Sequence, residues 1–251
     1  MTLRPDAAAE EAELQAYLGE RFERRRLERH GEGMEEELAR IGDHAKLYRT
    51  SEAYLYDLTA FAMWETKDPY RALIARSVAP GAKLLDYGCG IGSDGLRLLG
   101  EGYRVAFADF ANPSTRYLLW RLERRGLTAP VYDLDADELP GGFDLAYAFD
   151  VIEHVDDPFA FLASLERCAG LVLVNLLAPE PGDNPLHHEL PIADLLEHAA
   201  GSGLRSYSLH HGRSHLVLYE PGKRARPLAA VAARRAAARF RDGARAPRGQ
   251  M

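Results

Sequence analysis

The sequence predicts an α/β fold: a doubly wound, mostly parallel seven-stranded sheet with an antiparallel C-terminal hairpin and an N-terminal helical cap. Three observations predict it. From residue 82 onward short apolar runs alternate with helical runs, and strands alternating with helices imply parallel crossovers. One such run, Leu84-Leu85-Asp86-Tyr87, passes straight into a glycine-rich turn and then a helix. The eighty or so residues ahead of it have helical spacing and no convincing strand.

Taken in order, Asp6 to roughly Lys46 is rich in Glu, Arg, Ala and Leu at helical spacing. Gly31 and Gly33 are expected to separate two largely solvated helices there. Ser51 opens a further helical stretch carrying Tyr54, Tyr56, Phe61 and Trp64. Asp68-Pro69 supplies a cap and a first-turn proline for a helix ending near Val78. Strands at Lys83–Tyr87 and Arg104–Asp109 alternate with helices at Ser93–Leu99 and Thr115–Arg125. Strands follow near Val131, at Phe143–Phe149 and at Gly170–Leu177, with a helix over Pro158–Cys168. A loop at 179–185 leads to a helix from Ile192 to about Ala200. Ser206–His210 and His215–Tyr219 form the closing hairpin, turned at Gly212-Arg213. The resulting division is a helical cap at 1–79, a core at 80–221 and a basic Ala/Arg-rich tail at 222–251.

Composition excludes several classes. At 251 residues the chain supports one sizeable core with an appendage, and 47% apolar with 27% charged residues is an ordinary globular balance. The longest apolar run, Leu171–Ala178, is interrupted by Asn175 and falls far short of the roughly 20 residues that cross a bilayer. No signal-peptide core opens the sequence, so a cytoplasmic protein without a membrane partner is expected. Cys89 and Cys168 lie far apart, with no second ligand at metal-binding spacing, so neither a disulfide nor a zinc site is expected. The net charge of -7 hides an asymmetry: residues 222–251 hold nine Lys/Arg and one acid, leaving the rest near -15. That bulk does not suit nucleic acid. The tail is expected to be a solvated or disordered extension, with an acidic surface, including that of a second copy in a homodimer, as its alternative partner.

The central motif is Asp86-Tyr87-Gly88-Cys89-Gly90-Ile91-Gly92. Glycines let backbone approach a ligand closely, and a helix amino terminus offers free N–H groups to an anion. Gly90, Gly92 and Gly95 also satisfy G-x-G-x-x-G with Asp109 about twenty residues on, so a nicotinamide oxidoreductase is one reading. Asp86 argues against it, because an acid beside a pyrophosphate repels it and suits a cationic ligand instead. On these residues the sequence resembles the class I (Rossmann-like) S-adenosylmethionine (SAM)-dependent methyltransferases, whose first motif is an acid followed by Gly-x-Gly-x-Gly.

The resemblance continues in order over roughly residues 80–220. It implies that Asp86, Gly88, Gly90 and Gly92 hold the methionine end of SAM, and that Asp109, with Phe110 after it, binds the ribose hydroxyls. Asp135-Ala136-Asp137-Glu138-Leu139-Pro140 resembles the adenine turn, with Asp135 accepting from the adenine amino group. Asp150-Val151-Ile152-Glu153-His154-Val155 resembles the strand-four segment of small-molecule methyltransferases, which adds Asp150 to the cofactor residues. The implied function is in-line methyl transfer from SAM to a small-molecule O- or N-nucleophile, with S-adenosylhomocysteine as product.

Such a displacement needs alignment and exclusion of water, and a protonated nucleophile also needs a base. His154 is the candidate, placed by the resemblance beside the methyl end of SAM and titrating, as an imidazole, near neutral pH. Asp150, Glu153 and His154 equally suit capping of the turn after strand four. The same acid-x-x-Glu-His order resembles ubiquinone-pathway O-methyltransferases, in which the cluster can hold a divalent metal; many relatives use none, and none is assigned here. His187 lies in the loop after strand five, and Tyr54, Tyr56 and Trp64 in the helical cap, where they offer apolar area with a polar handle for a substrate lid, or else pack in the core. A catalytically silent SAM-fold protein, and a SAM enzyme in which the aminobutyrate chain is attacked intramolecularly, remain the other readings.

Overall fold

The computed structural model describes residues 6–180 and 186–245. Two compact units, 1–139 and 140–251, are described separately. The first opens with α1 (Ala7–Leu18), α2 (Arg24–Glu28), α3 (His30–Ile41), α4 (His44–Thr50), α5 (Ala53–Ala62) and α6 (Asp68–Ser77). Gly31 and Gly33, expected to separate helices, lie inside α3; the breaks fall at Gly19 and Gly42, whose φ angles of +58° and +68° only glycine adopts cheaply. The segment from Asp6 to Lys46 is solvated over most of its length, as expected, and its buried residues are Ala7, Glu10, Leu14, Leu18, Leu27 and Met34. Leu14, Leu18, Leu27, Leu55, Tyr56 and Ala60 join Ile91 and Tyr117 in one buried cluster.

β1 (Lys83–Tyr87), β2 (Arg104–Asp109) and β3 (Val131–Asp133) follow, parallel and in the order β3-β2-β1. Leu84, Leu85, Val105, Ala106, Phe107 and Ala108 are all buried, the continuous apolar pattern of parallel strands covered on both faces. Register sets Asp86 opposite Phe107 and Asp109 opposite Asp133. The crossovers are α7 (Ser93–Gly100) and α8 (Pro113–Arg124). A capping box starts α8: Asn112 Oδ1 accepts from Thr115 N at 2.9 Å, and Asn112 N donates to Thr115 Oγ1 at 3.0 Å.

In the second unit β4 (Leu145–Ala148) and β5 (Val172–Leu177) are parallel, and β6 (Leu204–His210) and β7 (Ser214–Tyr219) are antiparallel, in the order β4-β5-β7-β6. β4 is shorter than expected because Phe143 makes only an isolated bridge to Ala169. Its helices are α9 (Pro158–Cys168), α10 (Ile192–Gly201) and α11 (Pro227–Arg245). The solvated tail expected from the sequence is thus a helix packed on α10 and β6. Ala230, Ala233, Ala236 and Ala237 are buried, and Arg234 and Arg241 reach Glu197. Alanines let the two helices approach closely, so the segment docks without large apolar residues.

The described residues thus contain the expected seven strands of a mixed α/β fold, with the C-terminal pair antiparallel. Part of the loop predicted at 179–185 lies outside them. Among them no helix is long and apolar enough to cross a membrane.

Candidate active site

β1 delivers the chain into a turn in which Gly88, Gly90 and Gly92 have φ angles of +68°, +53° and +71°. Each lies in the left-handed region that penalises a β-carbon. Gly88 N donates to Ala108 O at 2.8 Å, tying the turn to β2. A Cβ on Gly92 would overlap Leu118, and one on Gly95 would overlap Phe107 and Asp86. Close packing therefore accounts for the third glycine of the G-x-G-x-x-G spacing. Asp86 is 5% exposed and its Oδ2 accepts from Gly95 N at 3.1 Å. Its carboxylate thus fixes the first turn of α7, a task the sequence reading did not foresee.

Asp109 ends β2 with both oxygens on backbone: Oδ2 accepts from Gly90 N and Oδ1 from Phe110 N, each at 2.7 Å. Burial pushes its carboxyl up to about 6, against these two hydrogen bonds, which lower it. Each oxygen retains a lone pair after its backbone bond. Cys89 beside it is half-buried, and burial, reinforced by Asp109 and Asp86, raises its thiol well above the usual range, which makes it inert.

Asp135 and Ala136 are exposed on the turn after β3, where Asp133 Oδ1 accepts from Asp135 N at 3.1 Å. Arg49 of α4 donates to both Asp135 oxygens, through Nη2 at 3.0 Å, and its guanidinium lies 4.1 Å from the Phe110 ring centroid. The bond from Arg49 holds the Asp135 carboxyl below the usual range. Sequence reasoning missed Arg49: it stands 86 positions from its partner, in a plain helical stretch.

The cap aromatics divide. Tyr56 is 2% exposed, its ring packed with Phe22 and its hydroxyl donating to Arg21 O and accepting from Glu23 N. In this structure it is a core residue and not the lid residue the sequence suggested, because both its ring and its hydroxyl are engaged among the helices. Tyr54 is half-buried against Tyr48. Trp64 meets Phe61 edge-on at 5.3 Å, and both line a small cleft with Leu58, Lys67, Arg71 and Ile91 of the glycine turn. A larger polar groove of about 490 Å³, lined by Arg25, Arg29, Glu32, Glu36 and Arg40, touches none of the motif residues.

In the second unit Asp150 has φ +57°, a strained conformation for a residue with a β-carbon. Asn175 holds it there, accepting from Asp150 N at 2.8 Å and donating to Asp150 Oδ1 at 2.7 Å. Glu153, His154 and His187 present ligand atoms within 4.8 Å of one another. His154 Nδ1 lies 3.1 Å from Leu186 O; a carbonyl only accepts, so Nδ1 carries the hydrogen and neutral His154 has its lone pair on Nε2. Burial first, then repulsion from His187, pushes His154 down to about 4. The neutral-pH titration expected of a free imidazole is therefore lost to desolvation.

The chain belongs to the methyltransferase-domain family, whose model matches residues 59–221. The domain is accordingly a class I SAM-dependent methyltransferase domain, and SAM is its cofactor. The chain is 33% identical over 115 residues to a ubiquinone biosynthesis O-methyltransferase of Xanthomonas campestris pv. campestris, covering 43% of this chain and 48% of that protein. It is 32% identical over 108 residues to a tRNA U34 carboxymethyltransferase of Hahella chejuensis, covering 39% and 33%. These alignments thus span less than half the length of either relative. Magnesium protoporphyrin IX methyltransferase from Synechocystis PCC 6803, solved with bound S-adenosylhomocysteine, shares the fold at TM-score 0.55 and 18% identity, over 65% of this chain and 85% of its own.

Proposed function

We propose that this protein transfers the methyl group of SAM to an oxygen or nitrogen atom of a small-molecule acceptor. The observation that carries the reading is Asp109: a half-buried carboxylate at the end of β2, anchored on the glycine turn by its bond from Gly90 N and still able to accept from a vicinal diol. SAM supplies an activated methyl group on a cationic sulfonium. Gly88, Gly90 and Gly92 would admit its methionine end, with the first turn of α7 offering backbone N–H groups to the carboxylate. Phe110 and Asp135 would hold the adenine by ring contact and by acceptance from its amino group, and Ala136 would supply backbone.

For the acceptor, Trp64 with Phe61 and Leu58 gives an apolar wall beside the turn, and Lys67 and the buried Arg71, both paired with Asp94, line it on the polar side. Tyr54 and His187 stay candidate substrate contacts. His154 would accept a hydrogen bond from the nucleophile through Nε2 and orient it; a group held near 4 is a weak base, so it takes the proton only as methyl transfer proceeds. Asp150, pinned by Asn175, would complete the cofactor contacts. The named activity of the ubiquinone-biosynthesis relatives favours an oxygen nucleophile.

Calorimetry with SAM, S-adenosylhomocysteine and NAD tests the reading, followed by product analysis on a panel of phenolic and amine acceptors. Binding of the two adenosyl compounds and formation of S-adenosylhomocysteine are expected. Binding of NAD alone would refute it, and methylthioadenosine as the product would point to attack on the aminobutyrate chain.

A further inference from the structure

Arg121, on α8, is the largest fully buried side chain whose charge the site described above does not use; it is 0% exposed. Its guanidinium is shared between two elements far apart in sequence. Toward α1, Nε donates to Glu13 Oε2 and Nη2 donates to Glu10 Oε2, both at 2.7 Å. Toward the glycine turn, Nη1 donates to Ile91 O at 2.9 Å and to Ser93 Oγ at 2.8 Å. Those two contacts bracket Gly92, the residue at φ +71° against which Leu118, one helical turn before Arg121, is packed.

The same α1 face holds the helix that follows the turn. Arg97 of α7 pairs with Glu10 at 3.2 Å and with Asp6, and Arg125, the C-cap of α8, donates to Glu13 at 2.7 and 2.8 Å. Charges therefore alternate through Asp6, Arg97, Glu10, Arg121, Glu13 and Arg125. A buried cation in contact with two carboxylates contributes little net stability over an apolar replacement, but its fixed fork specifies one geometry. Here that geometry is the path of Ile91–Ser93.

We propose that Arg121 is a positioning residue for the cofactor turn, and that Glu10 and Glu13 make α1 part of the cofactor site, so that SAM binding and docking of α1 are coupled. The proposal rests on the SAM reading above. By reciprocity, whatever α1 contributes to SAM affinity, SAM returns to the docking of α1.

The test combines hydrogen exchange with calorimetry on the full chain. Saturating SAM is expected to slow amide exchange within Ala7–Leu18 by about tenfold, and Glu10→Gln with Glu13→Gln is expected to raise the Kd for SAM about tenfold and abolish that protection. Gln keeps an acceptor for the guanidinium, so these variants retain the packing; Arg121→Lys, which cannot bridge four acceptors from one plane, is expected to weaken SAM similarly. A merely structural role would lower the Tm of the double variant and leave the SAM affinity of its folded form unchanged, and that result overturns the proposal. Should the variants fail to fold, the wild-type exchange measurement decides: SAM that binds without protecting α1 refutes the coupling. A wild-type protein that binds no SAM overturns the underlying function instead.

Discussion

Asp109 gives a pH dependence of two opposite signs. Its carboxyl titrates near 6 in the free protein because burial outweighs its bonds from Gly90 and Phe110. In the proposed ribose assignment only the ionised form would accept from both hydroxyls. At pH 7.5 it is almost wholly ionised, and at pH 5 only about a tenth is, so the Kd for SAM is expected to rise about tenfold between these values. Stability of the free protein moves the other way. A carboxyl whose folded value lies above the unfolded 3.8 binds its proton more tightly when folded, so its destabilisation is greatest above pH 6 and is relieved as pH falls toward 4, by at most about 3 kcal/mol for a two-unit shift. Asp109→Asn removes the titration and sets an amide donor against a backbone N–H; it should bind SAM weakly with a Kd independent of this ionisation. Calorimetric titration of both proteins at pH 5, 6 and 7.5 supplies the comparison. A wild-type Kd that is flat over this range, in protein shown to be folded, would refute the ribose assignment.

Gly90→Val places a β-branched residue at φ +53° and brings its Cβ to 2.9 Å from Leu58 Cδ1, so loss of SAM binding is expected together with about 1–2 kcal/mol of backbone strain; normal affinity and normal melting would exclude the glycine-turn reading. His154→Ala should lower kcat and leave the Kd for SAM unchanged, and in the wild type the acid limb of the rate profile due to His154 should fall near pH 4; a limb near 6.5 that vanishes in the variant would contradict the burial seen here. Truncation after Pro221 removes α11 and uncovers its α10 contact, at about 0.8 kcal/mol per buried methyl, so a lowered Tm with retained SAM affinity is expected; an unchanged Tm would mean that α11 is not docked in solution.

Much of this protein is legible in local sequence, because strand, turn and crossover signals are carried by neighbouring residues. The span of β1 and that of β2 and the glycine turn follow from apolar runs and glycines a few positions apart, while Asp109 and Asp135 are singled out by the family resemblance. The ends of helices were less legible: Gly31 and Gly33 look like breaks, yet α3 continues through them, since packing of the helix outweighs the entropy each glycine costs. The alanine-rich tail misleads for a related reason, because small residues contribute by permitting close approach to α10, a property invisible until α10 is in place.

What only the tertiary structure decided is how charged groups are paired and desolvated. Arg49 meets Asp135 and Arg121 meets Glu10 and Glu13 across 86 to 111 positions, and neither pairing has a sequence signal. Tyr56 and Trp64 read alike as cap aromatics, but one is enclosed and the other lines a cleft. His154 reads as a neutral-pH imidazole and is driven to about 4 by its surroundings. Local pattern specifies the elements and the residue types; burial and long-range contact set each group's charge state, because the cost of desolvating a charge depends on the whole shell around it and not on its neighbours along the chain.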